Sequence, residues 1–199
     1  MNCRGCGAAM ELFERRKYFF CRYCGAFHFI ETAVADGVEV LAREEAPCPV
    51  CAAPLAKALL DKTHSIRYCE QCRGVLLPRP VFADVINTRR AFATDAPTPP
   101  APLDNRELER RLVCPQCRQK MDVHPYYGPG NVVIDTCGGC NAIWLDHGEL
   151  QQITGAPGKD RGRRFAHTQP SASPSRLPPP SAPDINAAEL ASLLDDLLF

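Results

Sequence analysis

The 199-residue chain has little tryptophan or methionine and no long apolar run. It contains one tryptophan and three methionines, and aromatic residues make up only 8% of it. No apolar run approaches the roughly 18 residues that a membrane-spanning helix needs. The first ten residues also lack the apolar core of a secretory signal peptide. We therefore expect a soluble protein of the reducing cytoplasm, where disulfides are rare.

Net charge and catalytic motifs are absent as well. Twenty-three basic residues balance twenty-three acidic ones, so the formal net charge is zero. This charge balance does not favour strong, sequence-independent binding to nucleic acid. The chain has no glycine-rich phosphate loop, nucleophile elbow or paired-carboxylate pattern, so we expect that it is not an enzyme.

Cysteine is the residue that the chain has in excess. All twelve cysteines fall into six C-x-x-C pairs, which group in order into three sets of four with gaps of 14, 17 and 19 residues between the pairs. Two of these gaps lie within the window of about 15 to 20 residues that is typical of zinc sites, and the first misses it by one. The sets are Cys3, Cys6, Cys21 and Cys24; Cys48, Cys51, Cys69 and Cys72; and Cys114, Cys117, Cys137 and Cys140.

Four thiolates are the ligand set of a structural zinc site. Two C-x-x-C turns supply four sulfurs in tetrahedral geometry, and four protein ligands leave no open position for substrate. A disulfide framework does not suit the cytoplasm, and a thioredoxin-like redox site needs a C-x-x-C at the start of a helix. Tetrahedral S₄ coordination also suits iron. We predict three Zn²⁺ ions, one per set, and we consider a disulfide framework and a redox site less favoured.

The cysteine sets divide the chain into short metal-stabilised modules of β or α+β class. Units of about 30 to 45 residues bury too little apolar surface to fold unaided, so we expect each to need its metal. We predict zinc ribbon 1 over residues 1–31, an acidic connector over 32–46 that adds a sheet edge, ribbon 2 with a trailing helix over 47–92, a proline-rich linker over 93–103, ribbon 3 over 104–155, a disordered linker over 156–183 and a helix over 184–199.

Each ribbon has a recognisable hairpin pattern. Residues 11–20 and 26–30 predict two strands in ribbon 1, and Gly128-Pro129-Gly130 predicts a turn between two strands in ribbon 3. Apolar spacing over residues 80–92 predicts the helix of ribbon 2, where we expect Arg89 and Arg90 to complement the dipole of their own helix. Asp146 and Glu149 predict a capping box, in which the Asp146 carboxylate accepts from the first amides of a helix that ends at Gly155.

Ribbon 3 resembles a known family. The run Cys114-Pro-x-Cys117 … Asp135-x-Cys137-x-x-Cys140-x-x-x-Trp144-Leu145-Asp146-x-Gly148-Glu149-Leu150 is similar to the transcription-factor-IIB-type zinc ribbons of small bacterial proteins. This resemblance implies a zinc ribbon with the four cysteines of the third set as ligands, and it does not establish a role in transcription. Ribbon 2 resembles the family more loosely, with Cys72 at the position of Cys140, Leu76 at that of Trp144 and Pro78 at that of Asp146.

Two further segments carry functional hypotheses. Residues 184–199 start with the capping residue Asp184 and place Ile185, Leu190, Leu193, Leu194, Leu197 and Leu198 largely along one helical face. This helix either folds back on a ribbon or docks into a groove of a protein partner or of a second copy. Ribbon 1 clusters basic and aromatic residues that either contact nucleic acid or alternate between water and core: Arg15, Arg16, Lys17, Tyr18, Phe19, Phe20, Arg22 and Tyr23.

The sequence thus predicts a non-enzymatic zinc-ribbon protein that serves as an interaction or adaptor scaffold, with the terminal helix recruiting a protein partner. The alternative is a nucleic-acid-binding protein of transcription or RNA handling, and a third class is a thiol redox or zinc-responsive switch. His147, next to a helix start, invites a metal or acid-base role, but with four thiolates already present we expect it to face solvent.

Overall fold

The computed structural model of the chain describes residues 1–30 and 37–163. The helix predicted over 184–199, and all but the first residues of the linker predicted over 156–183, lie outside the described residues. Within the described part, no helix is both long enough and apolar enough to cross a membrane.

Ribbon 1 forms its own antiparallel sheet of three strands, with β2 in the centre. The strand predicted over residues 11–20 is wrong in one respect, because it is a hairpin and not a single strand. A short 3₁₀ turn over Glu14–Arg16 and a left-handed Lys17 (φ 49°) reverse the chain in its middle. The three strands are β1 (Glu11–Phe13), β2 (Tyr18–Phe20) and β3 (Phe27–Phe29).

Ribbons 2 and 3 share one seven-stranded antiparallel sheet in the order β4-β5-β6-β7-β10-β9-β8. The boundaries predicted from the sequence separate these two ribbons, whereas the structure joins them through β7 and β10. The strands are β4 (Val38–Pro47), β5 (Pro54–Leu60), β6 (His64–Tyr68), β7 (Val75–Pro78), β8 (Asp122–Pro125), β9 (Val133–Thr136) and β10 (Ala142–Leu145). The helices are α1 (Arg79–Ala91) and α2 (Glu149–Gly155), and a 3₁₀ helix covers Asn105–Glu109.

The acidic connector contributes the edge strand β4, which pairs with β5 and shifts register twice along its length. Its exposed side chains include Glu39 and Glu45, while the half-buried Glu44 pairs with Arg67 at 2.7 Å. Charged side chains and register shifts on an edge strand discourage pairing with a second chain. The connector thus closes the sheet on the side of ribbon 2.

The junction of ribbons 2 and 3 has a local twofold arrangement. Trp144 of β10 lies opposite Leu76 of β7, and Ala142 lies opposite Pro78. Leu76 and Trp144 occupy equivalent positions when Cys72 is aligned with Cys140. The local twofold axis therefore passes between these two residues, and each ribbon contributes its equivalent strand to the junction.

The two faces of the shared sheet carry two separate cores. Side chains alternate across a strand, so Leu77 and Ile143 face α1 and α2 while Leu76 and Trp144 face the cysteines. β10 and most of β7 are consequently buried on both faces, which explains their continuous apolar sequences. The zinc knuckles and the helices cover opposite sides of one layer.

Arg90 ties the two helices together. Its guanidinium is buried and its Nη1 donates to the carbonyls of Ile153 (2.7 Å) and Ala156 (2.8 Å) at the end of α2, while Asp160 accepts from the other nitrogens. Arg90 does lie in the last turn of α1 as predicted, but its guanidinium caps the carbonyls of α2. Its neighbour Arg89 pairs with Asp61 at 2.8 Å.

We predict that Gly74→Ala destabilises the shared sheet. A Cβ at Gly74 would lie 2.2 Å from Cζ2 of Trp144, and this indole is fully buried and cannot move aside. Overpacking of this kind costs about 1–3 kcal/mol, so the urea midpoint at a fixed zinc concentration should fall clearly. Gly138→Ala is the matched control, because a Cβ there meets nothing within 4 Å. Equal midpoints for the two variants would contradict the close approach of Gly74 to Trp144.

Candidate metal centres

Every C-x-x-C pair folds into the same knuckle. In each, the amide of the first cysteine donates to the carbonyl five residues later, and the amide four residues later donates to the carbonyl of the first cysteine, at 2.7–3.0 Å. In ribbon 3, for example, Cys114 N donates to Gln119 O and Arg118 N donates to Cys114 O. This backbone turn places both sulfurs of a pair on one side.

The residue after the second cysteine is left-handed in all six knuckles. The sequence indicates this only at Gly7 and Gly25, since glycine adopts positive φ freely. In ribbons 2 and 3 the position is occupied by residues with a Cβ, which accept the same conformation at some cost. Their φ values are 61° for Ala52, 58° for Arg73, 64° for Arg118 and 61° for Asn141.

The twelve sulfurs converge as three groups of four, with the Sγ atoms of each group within 4.8 Å of one another. The closest contacts between knuckles are 3.3–3.5 Å, for example Cys117 to Cys137 at 3.3 Å and Cys48 to Cys72 at 3.5 Å. A disulfide needs about 2.05 Å, and all twelve cysteines are free. Sulfurs about 2.3 Å from a central zinc lie about 3.8 Å apart. The groups therefore fit one tetrahedral zinc ion each.

Electrostatics within a group also call for a cation. The backbone amides of Cys6 and Gly5 lower the pKa of the Cys3 thiol to about 6. At Cys24 the amide of Ala26 lowers the pKa, but the surrounding sulfurs together raise it to about 12. One ionised sulfur thus opposes ionisation of the next. A divalent ion at the centre removes this conflict and lets all four act as thiolates.

The three sites differ in exposure. In ribbon 1, Cys6 and Cys24 are exposed, whereas ribbons 2 and 3 have no fully exposed ligand. Cys48, Cys72 and Cys137 of the latter sites pack in one core with Trp144. The ribbon 1 site is therefore the most accessible to water, chelators and oxidants.

The fold and these closed sites define a zinc-binding protein built from zinc ribbons. Comparison with protein families finds the Transcription factor zinc-finger family, a zinc ribbon of the transcription-factor-IIB type, over residues 113–156. The resemblance predicted for ribbon 3 is confirmed by this match. No curated protein and no solved structure matches the chain.

Three carboxylates of the matched segment belong to a buried ion cluster that the sequence pattern did not predict. Arg16 reaches from ribbon 1 into ribbon 3, where its Nη1 donates to Asp146 at 2.6 Å and its Nη2 donates to Glu107 and Glu149 at 2.7 Å each. Arg110 pairs with Asp146 and with Asp135. We call these two arginines and four carboxylates the ion cluster.

The ion cluster changes the predicted capping box. Glu149 does reach back to the amide of Asp146, at 2.7 Å. The Asp146 carboxylate, however, accepts from the indole Nε1 of Trp144 (2.8 Å), Arg16 and Arg110 instead of capping the helix. Burial raises the pKa of Asp146, but the two guanidiniums outweigh it and lower that pKa below its ordinary value. Asp146 is therefore an ionised centre that joins three segments.

Two predictions about side chains near this cluster are wrong. Arg16, expected either in water or on nucleic acid, is buried among carboxylates. His147, expected to face solvent, lies edge-on against Phe29 of ribbon 1 with ring centroids 4.7 Å apart. Both differences arise because ribbon 1 packs on ribbon 3. A local sequence pattern does not reveal a contact between residues so far apart in the chain.

We predict opposite effects for exchanging alanine and glycine after the second cysteine. Gly25→Ala should lower the free energy of unfolding by about 1 kcal/mol, because a left-handed residue with a Cβ costs about 1–2 kcal/mol. Ala52→Gly should raise it by about 0.5–1 kcal/mol, since relief of that strain exceeds the added freedom of the unfolded chain. A Cβ at Gly25 meets nothing within 4 Å, so its cost is one of backbone conformation. Denaturant titration of the zinc-loaded variants measures both, and same-sign effects would contradict the shared knuckle geometry.

We also predict that a chelator removes zinc from ribbon 1 before the other two sites, because its ligands are exposed. A colorimetric chelator should show one fast ion followed by two slow ones, while the amides of β7 and β10 stay protected from hydrogen exchange until the slow phase. Cys24→Ser should abolish the fast phase. Cys51→Ser, at a half-buried ligand of ribbon 2, is the control that retains it. Release of all three ions in one phase would contradict the difference in accessibility.

Proposed function

We propose that this protein is a non-enzymatic zinc-ribbon scaffold that binds a protein partner, in the cytoplasm. The observation that carries the proposal is that each group of sulfurs already provides four ligands to its ion. A closed tetrahedral site has no position for water or substrate, so its zinc stabilises a fold and does not activate a reactant.

The shared sheet supports a scaffold role because it holds two ribbons in one orientation. β7 and β10 pair along their whole length, and Arg90 fixes α1 to the end of α2. Preorganised surfaces lose little conformational freedom on binding. A rigid pair of ribbons suits the presentation of a binding surface.

The terminal segment supplies the recruiting element of the proposal. Residues 184–199 have an acidic, amphipathic sequence pattern, which suits docking of a helix into an apolar groove. A second copy of the chain is one such partner. Folding of this segment onto its own ribbons is the competing arrangement.

Nucleic-acid binding is less well supported by the side chains predicted for it. Arg16 is buried in the ion cluster, Arg22 pairs with Glu11, and Tyr18 lies in the aromatic core of ribbon 1. These contacts leave fewer basic and aromatic groups for phosphates and bases. Retention on nucleic acid at low salt that weakens steeply as salt rises would favour this alternative.

We predict that removal of residues 184–199 abolishes partner capture without weakening the ribbons. Affinity capture from cell extract should lose one protein when this segment is deleted or when Leu190, Leu194 and Leu197 are changed to Ser. Deletion of 166–181 is the control that retains capture. The purified captured protein should then bind the wild-type chain in calorimetry. Loss of ribbon stability on deletion would show docking within the chain, and unchanged capture would refute the recruiting role.

A further inference from the structure

The guanidinium of Arg16 binds carboxylates through both of its terminal nitrogens. Nη1 donates to Asp146, and Nη2 donates to Glu107 and Glu149. The side chains of Glu149 and Asp146 are 1% and 10% exposed. A planar guanidinium with donors at fixed angles matches such an arrangement, whereas an ammonium offers only a compact point charge. The site therefore selects arginine over lysine.

The ion cluster joins two parts of the chain. Asp135, Asp146 and Glu149 lie within the segment that matches the family, residues 113–156, and Glu107 and Arg110 lie just before it in ribbon 3. Ribbon 3 thus supplies the acidic receptor of all four carboxylates as well as Arg110, whereas ribbon 1 supplies Arg16 alone. In ribbon 2 the position of Asp146 is occupied by Pro78, so this receptor exists once in the shared sheet.

The receptor has more acceptor capacity than Arg16 and Arg110 use. Four carboxylates face two guanidiniums, and among the described residues neither Oδ1 of the fully buried Asp135 nor Nε of Arg110 has a hydrogen-bond partner. A buried oxygen without a donor is costly. If Arg16 leaves, Glu107 and Glu149 lose their guanidinium partner, and another arginine can take that place.

Ribbon 1, which delivers Arg16, is attached by side chains and not by strand pairing. Its sheet is separate from the seven-stranded sheet. Its side-chain contacts with the other ribbons include Arg16 in the ion cluster, Phe27 against the knuckle-face core, and Phe29 against His147 and Arg73. A cleft of about 430 Å³ lies beside Arg16, with Tyr18 among its aromatic lining. This arrangement allows ribbon 1 to separate while the shared sheet stays intact.

We propose that the carboxylates of ribbon 3 are a receptor for an arginine side chain, which Arg16 fills from within the chain and which an arginine of a partner protein fills when ribbon 1 separates. Zinc in ribbon 1 holds the internal arginine in place, since the Glu14–Arg16 turn belongs to that ribbon. This surface is distinct from the terminal segment, and the proposal does not depend on recruitment by residues 184–199.

The test is chemical rescue of Arg16→Ala in the full zinc-loaded chain. Trp144 is the sole tryptophan, and its Nε1 donates to Asp146, so its single indole N–H resonance reports on the receptor. N-acetyl-arginine methylamide should shift this resonance saturably in Arg16→Ala and restore the wild-type position. The matching lysine compound should bind about tenfold more weakly or not at all. Arg22→Ala, which removes an exposed arginine of the same ribbon, should show no response.

Two further variants keep the test decisive. Glu107→Gln combined with Arg16→Ala should bind the arginine compound more weakly than Arg16→Ala alone, because one of the three carboxylates that contact Arg16 is lost. Cys6→Ser with Cys24→Ser should make the receptor responsive with Arg16 still present, which separates release of ribbon 1 from loss of the arginine itself.

If the indole resonance stays dispersed, showing a folded ribbon 3, and the arginine compound fails to shift it in both backgrounds, the receptor is refuted. An equal response to the lysine compound refutes its selectivity for arginine.

Discussion

Coordination of four thiolates by one zinc ion is the interaction on which this structure depends. Each ribbon is too short to offset its loss of chain entropy by apolar burial alone. A structural zinc ion contributes an apparent 10–16 kcal/mol or so in peptides of this kind. The knuckle hydrogen bonds, repeated six times with the same pattern, place the sulfurs before the metal joins them. The four knuckles of ribbons 2 and 3 each keep a left-handed residue with a Cβ after the second cysteine, because this coordination outweighs their strain.

The second level of organisation is the pairing of β7 with β10. It converts two marginal ribbons into one sheet with a helix layer on one face and zinc knuckles on the other. Trp144 lies at the centre of the knuckle face, and Gly74 allows its indole to approach the backbone. The symmetry is incomplete in chemistry, since ribbon 3 has Asp146 where ribbon 2 has Pro78. Ribbon 1 consequently docks its arginine on ribbon 3, which alone has that carboxylate.

Much of the architecture could be predicted from local patterns. The metal-ligand sets follow from C-x-x-C spacing, the turn of ribbon 3 from Gly128-Pro129-Gly130, and the end of α2 from Gly155. The family resemblance of ribbon 3 follows from residues that lie close together in the chain. The turn at Lys17 was missed, because its left-handed conformation (φ 49°) is uncommon for lysine. The partner of Glu149 was predicted only within its own capping box, since that contact is local and the one with Arg16 is not.

By itself the sequence determined which atoms bind metal and which segments form hairpins, because both depend on spacing over a few residues. Only the tertiary structure decided that ribbons 2 and 3 share a sheet, that Arg90 caps the other helix and that Arg16 lies among the carboxylates of ribbon 3. These contacts join residues 63 to 133 positions apart. These contacts are stabilised by burial and charge pairing between segments that are far apart in the sequence. Local sequence patterns therefore do not reveal them.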